Sequence, residues 1–191
     1  MSLVKISGNA SGTGTLTIAA PNTNTDRTLT LPDNTGTIIT TGSTFAGTGP
    51  AFRASVTSNQ TINHNTATKI QFNNEIFDTN SNYDPTTNYR FTPTTAGYYQ
   101  VNLVVCYTVT DARNYFYQPS IYKNGSSEIS TQTGWLANAG GRASVSVNGV
   151  IYMNGSSDYL EFYTYNFDYT ASTTVQVNTA SMASAALVRA A

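Results

Sequence analysis

The chain has 191 residues, of which 39% are hydrophobic, 12% aromatic and only 10% charged, with a net charge of -1. Thr, Asn and Ser fill more than a third of it, and that many aromatics at near-neutral charge excludes the disordered class, which combines few aromatics with high net charge. Nine scattered basic residues do not make the clustered patch that a phosphate backbone requires, and no apolar run approaches a membrane span, so neither nucleic acid nor membrane insertion is expected.

In chain order, Met1 to Ala20 carries one Lys among alternating polar residues and lacks the continuous apolar core of a signal peptide. Short alternating runs follow at Thr15-Leu16-Thr17-Ile18, Thr28-Leu29-Thr30-Leu31 and Thr37-Ile38-Ile39-Thr40. Pro21-Asn22-Thr23-Asn24 and Pro32-Asp33-Asn34-Thr35-Gly36 separate them as turns. Each run offers only two or three apolar side chains, too few for one copy to fold alone. The segment therefore reads either as strands that several copies wrap around an axis or as a linker. Gly42 to Pro50 punctuates the chain. The expected organisation is a β-rich attachment segment at 1–45, a hinge at 46–50 and a head domain at 51–191.

From Phe52 onward, strand and turn signals alternate every eight to twelve residues, the spacing of an all-β sandwich. The clearest strand runs from Gly97 to Tyr107. Its odd positions, Tyr99, Val101, Leu103, Val105 and Tyr107, are uniformly apolar or aromatic, and alternation assigns them to the core. Its even face carries Tyr98, Val104 and Cys106, too apolar for open water. Tyr115–Tyr122 and Ala143–Tyr152 are further strands, with Pro119 expected at an edge or bulge. Asn124-Gly125 and Asn154-Gly155 read as tight hairpin turns. In Tyr159–Tyr165, Leu160 and Phe162 suit the core, while Tyr159, Tyr163 and Tyr165 line the opposite face. Tyrosine pairs a flat apolar body with a polar tip and is enriched where protein surfaces meet. Tyr98, Val104, Tyr159, Tyr163 and Tyr165 are therefore expected at a subunit interface. The alternative is that they shield the surface of a monomer. The run Ala180–Val188 suits a final strand beside the start of the domain, or a short helix.

Candidate chemistry is sparse. Asp78, Asp84, Asp111, Asp158 and Asp168 lie mostly beside Asn, Ser or Thr, where Asp is ordinary turn chemistry rather than a paired-carboxylate hydrolase. His64 is the only histidine and cannot form a multi-histidine metal site in one chain. Cys106 is the only cysteine; it excludes an intrachain disulfide and reads as an inert buried thiol. Trp135 could stack on a sugar or cap the core. Gly140-Gly141-Arg142 lacks the strand-to-helix context of a phosphate cradle. No enzyme activity, cofactor or metal ion is expected.

The head resembles the globular heads of complement proteins, related in fold to the tumour necrosis factor superfamily. The residues that carry this are Phe52-Arg53-Ala54, Lys69–Asn73, Phe77-Asp78, Tyr83-Asp84, Phe91-Thr92-Pro93 with Ala96-Gly97-Tyr98-Tyr99, Ile121–Gly125 and Ser157–Phe162. The resemblance covers roughly 51 to 190 and implies a ten-stranded jelly roll assembling as a tight trimer around an aromatic-lined axis. Gly14–Pro21 with Arg27–Ile38 resembles a segment widespread in bacteriophage tail-fibre proteins. Together these imply a virion structural protein assembled in the host cytoplasm. It would be a homotrimeric tail fibre or spike subunit, attached to other virion proteins through its N-terminal segment and binding a bacterial surface glycan or protein. A capsid head fibre or decoration protein, or a cellular lectin-like module, are the alternatives.

Overall fold

In the computed structural model, the described residues are 11–15, 17, 19, 22–26, 28, 49–109, 113–137, 141–169 and 172–191. The chain divides into two units, Met1–Ile38 and Ile39–Ala191. In the first, the described positions are exposed, and the Thr25 N–H donates to Thr23 Oγ1 at 3.1 Å. Of the three runs expected as strands there, only Thr15, Thr17 and Thr28 are among the described residues; the rest of those runs and most of the hinge lie outside them.

The second unit is all-β. Among the described residues it has fourteen strands, beginning with β1 (Ala51–Ser55), β2 (Gln60–Ile62), β3 (Thr68–Lys69), β4 (Asn74–Asp78), β5 (Tyr83–Asp84), β6 (Arg90–Phe91) and β7 (Gly97–Thr108). The chain continues through β8 (Arg113–Lys123), β9 (Ser126–Ser130), β10 (Thr133–Ala137), β11 (Arg142–Met153), β12 (Leu160–Asp168), β13 (Val175–Val177) and β14 (Met182–Ala190). Several short strands lie end to end beside one long partner, which is why the count exceeds ten.

The strands form two antiparallel sheets. In the first, β7 pairs along its whole length with β11, and on its other side with β14 and β13. Beyond these lie β1, β2 and the edge strand β4. In the second, β12 is flanked by β8 on one side and by β6 and β3 on the other, with β9 and β10 both beside β8 and β5 beside β6. The small residues Ala183 and Ala185 let the C-terminal run sit as a strand against β1.

Alternation decides what each sheet buries. Tyr99, Val101, Leu103, Val105 and Tyr107 of β7 face Leu160 and Phe162 of β12 across a core in which all seven are fully buried. At one end, Phe52 stacks on Tyr83 (centroids 4.5 Å) and on Phe91 (4.6 Å). At the other, Tyr107 stacks on Tyr117 (4.1 Å), which stacks on Tyr115 (5.8 Å).

Asn124-Gly125 makes the two-residue β8–β9 hairpin, both residues at positive φ (52° and 81°). One turn-chemistry expectation changes. Asn154-Gly155 is not a hairpin, because β11 and β12 belong to different sheets. Its Asn154 Oδ1 instead accepts the N–H groups of Ser156, Ser157 and Asp158 and turns the chain across the sandwich. Of the edge or bulge expected at Pro119, the edge does not apply: β8 lies between β12 and the β9/β10 pair. Its carbonyl accepts from Thr131 N–H (3.3 Å) on the side where β10 gives way to β9. The missing donor falls at that change of partner and breaks no ladder bond.

Candidate binding surfaces

The outer face of the first sheet is built by the even positions of β7 and the residues in register with them. Tyr98 lies opposite Tyr152 of β11, and Val104 opposite Ser146 of β11 and Met182 of β14. The three long strands β7, β11 and β14 contain no acidic residue and no lysine. Their two arginines, Arg142 and Arg189, stand at strand ends. One end of this face is apolar: Tyr98 and Tyr152 pack ring to ring at 5.5 Å, Val150 is 56% exposed, and Val188 is exposed beside them. A shallow groove lined by Tyr98, Val150 and the segment Val188–Ala191 opens there.

The outer face of the second sheet has another character. Glu161 is only 3% exposed, although it points outward, because Lys69 and Arg90 close over it (2.6 and 2.9 Å). The Arg90 guanidinium lies 4.1 Å from the Tyr159 ring, and the Lys69 ammonium 5.8 Å from that of Tyr163. Tyr163 stacks on Tyr122 at 4.1 Å, and burial, with Glu161 beside it, pushes its hydroxyl pKa up. Further along, Phe116 and Tyr165 meet edge to face at 6.5 Å, and Phe167 and Tyr169 at 5.1 Å. These four rings line a recess of about 240 Å³.

The five residues expected at one interface are therefore split. Tyr98 and Val104 face outward from the first sheet, while Tyr159, Tyr163 and Tyr165 face outward from the second. Opposite sheets of a sandwich present their outer faces in opposite directions. No single flat contact on one subunit takes all five. Alternation identified each as outward-facing but cannot say which sheet a strand joins. Tyr152, Val150, Val188 and Tyr122 were missed; Val150 and Tyr152 alternate within β11, yet only the register with β7 places them beside Tyr98.

The carboxylates are occupied individually. Asp78 accepts the Tyr83 N–H (2.6 Å). Asp84 accepts the N–H groups of Thr86, Thr87 and Asn88, and the first two of these bonds chiefly hold it well below the usual carboxylate range. Burial works against the charge of Asp158, but Asn124, Lys123 (3.0 Å) and the Asn154 N–H outweigh it, so its pKa is lowered. Asp168 accepts from Thr173 Oγ1 at 2.7 Å. Asp111 and Gly140 lie outside the described residues, as does the Trp135 side chain. Among the described residues no cluster of three or more His, Cys, Asp or Glu side chains could hold a metal ion.

His64 is held against β12. It bridges to Asn166, its Nδ1 accepts the Asp168 N–H (3.3 Å), and its ring lies 4.9 Å from Phe167. Cys106 is not fully buried. It occupies the even, outer face of β7, with Sγ 3.5 Å from Ser144 Oγ.

No family model matches the chain, and no curated protein does. Among solved structures, the globular domain of a zebrafish complement 1qA protein matches with a TM-score of 0.50 at 14% identity, over 74% of this chain and 99% of that one. Murine APRIL matches with a TM-score of 0.51 at 9% identity, over 73% and 99%. Both are likenesses of fold: the second unit is a jelly-roll sandwich of the kind the head resemblance implies. Neither bears on the tail-fibre resemblance of the first region.

Proposed function

We propose that the chain is a non-enzymatic, trimeric binding head of a bacteriophage appendage, with copies packed through the outer face of the first sheet. The observation that carries this reading is the near-absence of charge on β7, β11 and β14. An open water face of that length ordinarily carries both signs of charge, whereas the centre of a protein interface is depleted of them and enriched in Tyr and Met. Tyr98, Tyr152, Val150 and Val188 supply its apolar part. The 12-residue edge strand β11, with one terminal arginine, is also of the kind that soluble monomers cover or charge. Val104 belongs to this contact; Tyr159, Tyr163 and Tyr165 belong to the outward surface of the trimer.

The virion assignment rests on the tail-fibre-like runs before residue 40, which would join the head to other virion proteins. Three identical outward surfaces give avidity to a weak receptor contact.

Light scattering coupled to size separation tests the assembly. Three times the chain mass is expected at micromolar concentration, and Val150→Glu, which places a charge at the apolar end of the face, is expected to release monomers. A wild-type monomer at that concentration overturns the reading. Immunolabelling of assembled particles tests the virion assignment, with label at a tail or capsid appendage expected.

A further inference from the structure

We infer that the recess formed by Phe116, Tyr165, Phe167 and Tyr169 is a site for one uncharged pyranose ring of a surface glycan. This gives a ligand class to the binding head proposed above and rests on that reading only in taking the chain to be a binding module.

The recess follows from register. Phe116 of β8 lies directly opposite Phe167 of β12, and residues 165, 167 and 169 alternate onto the same outer face. The rings do not close on one another as Tyr122 and Tyr163 do, stacked flat at an interplanar angle of 23°. Phe116–Tyr165 and Phe167–Tyr169 meet at 79° and 83°, an arrangement that leaves ring faces open. Tyr169 is 68% exposed, the most exposed large apolar side chain among the described residues. The volume, about 240 Å³, lies just below the ~300–1,000 Å³ of sites for drug-sized ligands, which suits a single ring rather than a long chain.

Polar groups border the aromatic wall on one side. Tyr165 Oη donates to Asn65 Oδ1 at 2.6 Å. His64 packs on Phe167, and because its Nδ1 accepts the Asp168 N–H, the neutral ring carries its proton on Nε2. That donor has no protein partner among the described residues. Asp168 is 3% exposed and points inward, and among the described residues no lysine or arginine lines the recess. A phosphate or uronate would find no cation to pair with among the described lining residues. A pyranose presents a C–H face to the negative faces of the aromatic rings and a hydroxyl edge to imidazole and amide donors, the two chemistries found side by side here.

Saturation-transfer NMR on the full chain tests the assignment, with glucose, galactose, N-acetylglucosamine and glucuronate as probes. At least one neutral sugar is expected to bind in the millimolar range and more tightly than glucuronate. Tyr169→Ala, an exposed position, is expected to weaken it about tenfold. The proposal fails if no neutral sugar binds, if glucuronate binds best, or if Tyr169→Ala leaves affinity unchanged. Val150→Glu separates the two readings: it is expected to abolish the trimer while preserving sugar affinity per site. A wild-type trimer that binds no neutral sugar would overturn the recess assignment alone.

Discussion

Tyr107 and Tyr117 lie face to face in the core, yet their hydroxyls are treated differently. Tyr107 Oη shares a 2.6 Å hydrogen bond with Thr164 Oγ1 and so ties β7 of one sheet to β12 of the other. Tyr117 Oη is buried without a partner among the described residues. Removing one member of a buried pair strands the other, whereas removing an unsatisfied group relieves a desolvation penalty. Tyr107→Phe is therefore expected to destabilise the fold by about 1–3 kcal/mol, and Tyr117→Phe to stabilise it by about 1 kcal/mol. Urea unfolding midpoints at unchanged slope measure both, and a shift of the same sign in the two variants would contradict the assignment. That both residues are core tyrosines was legible from alternation for Tyr107. Which hydroxyl finds a partner was not, because Thr164 is 57 positions away.

At the level of elements, β12 organises the second sheet through one carboxylate. Lys69 comes from β3 and Arg90 from β6, and both strands pair with β12, so Glu161 clamps three strands at once. Its cations are 26% and 30% exposed, so water screens them. Glu161→Gln is expected to cost about 2 kcal/mol rather than the ~3–5 kcal/mol of a fully buried broken pair, read as a lowered denaturant midpoint. No loss of stability would mean that the clamp contributes nothing. In the sequence, Glu161 is one charge amid tyrosines; its partners lie 92 and 71 residues earlier in the chain, beyond any local pattern. The long strands β7, β11 and β12 were legible because each alternates over seven or more residues. Asn154 was misplaced because turn chemistry describes a local bend and not which strands lie on either side of it.

For the whole molecule, the tyrosine-rich core makes alkaline pH a probe of folding. Burial pushes the Tyr83, Tyr107 and Tyr117 hydroxyls well above their ordinary value of 10, and Tyr99 up to about 12. A raised folded-state pKa means that the stabilisation is fully present below about 10 and is lost as pH rises from there through the raised values. A cooperative rise in phenolate absorbance above pH 10 is expected to coincide with loss of circular dichroism. A single non-cooperative titration near 10 with the dichroism intact would show that these side chains are not sequestered.

The sequence alone determined the all-β class, the two-face alternation of its long strands and the surplus of tyrosine on outward positions, because each is a property of neighbouring residues on a pleated backbone with period two. Only the tertiary structure decided that β7 and β12 lie in opposite sheets. Pairing joins residues far apart in the chain, and no local period encodes it. That one choice separated Tyr98 and Val104 from Tyr159, Tyr163 and Tyr165, and turned one expected surface into two: a face with charge only at strand ends, suited to self-association, and an aromatic face with a recess of its own.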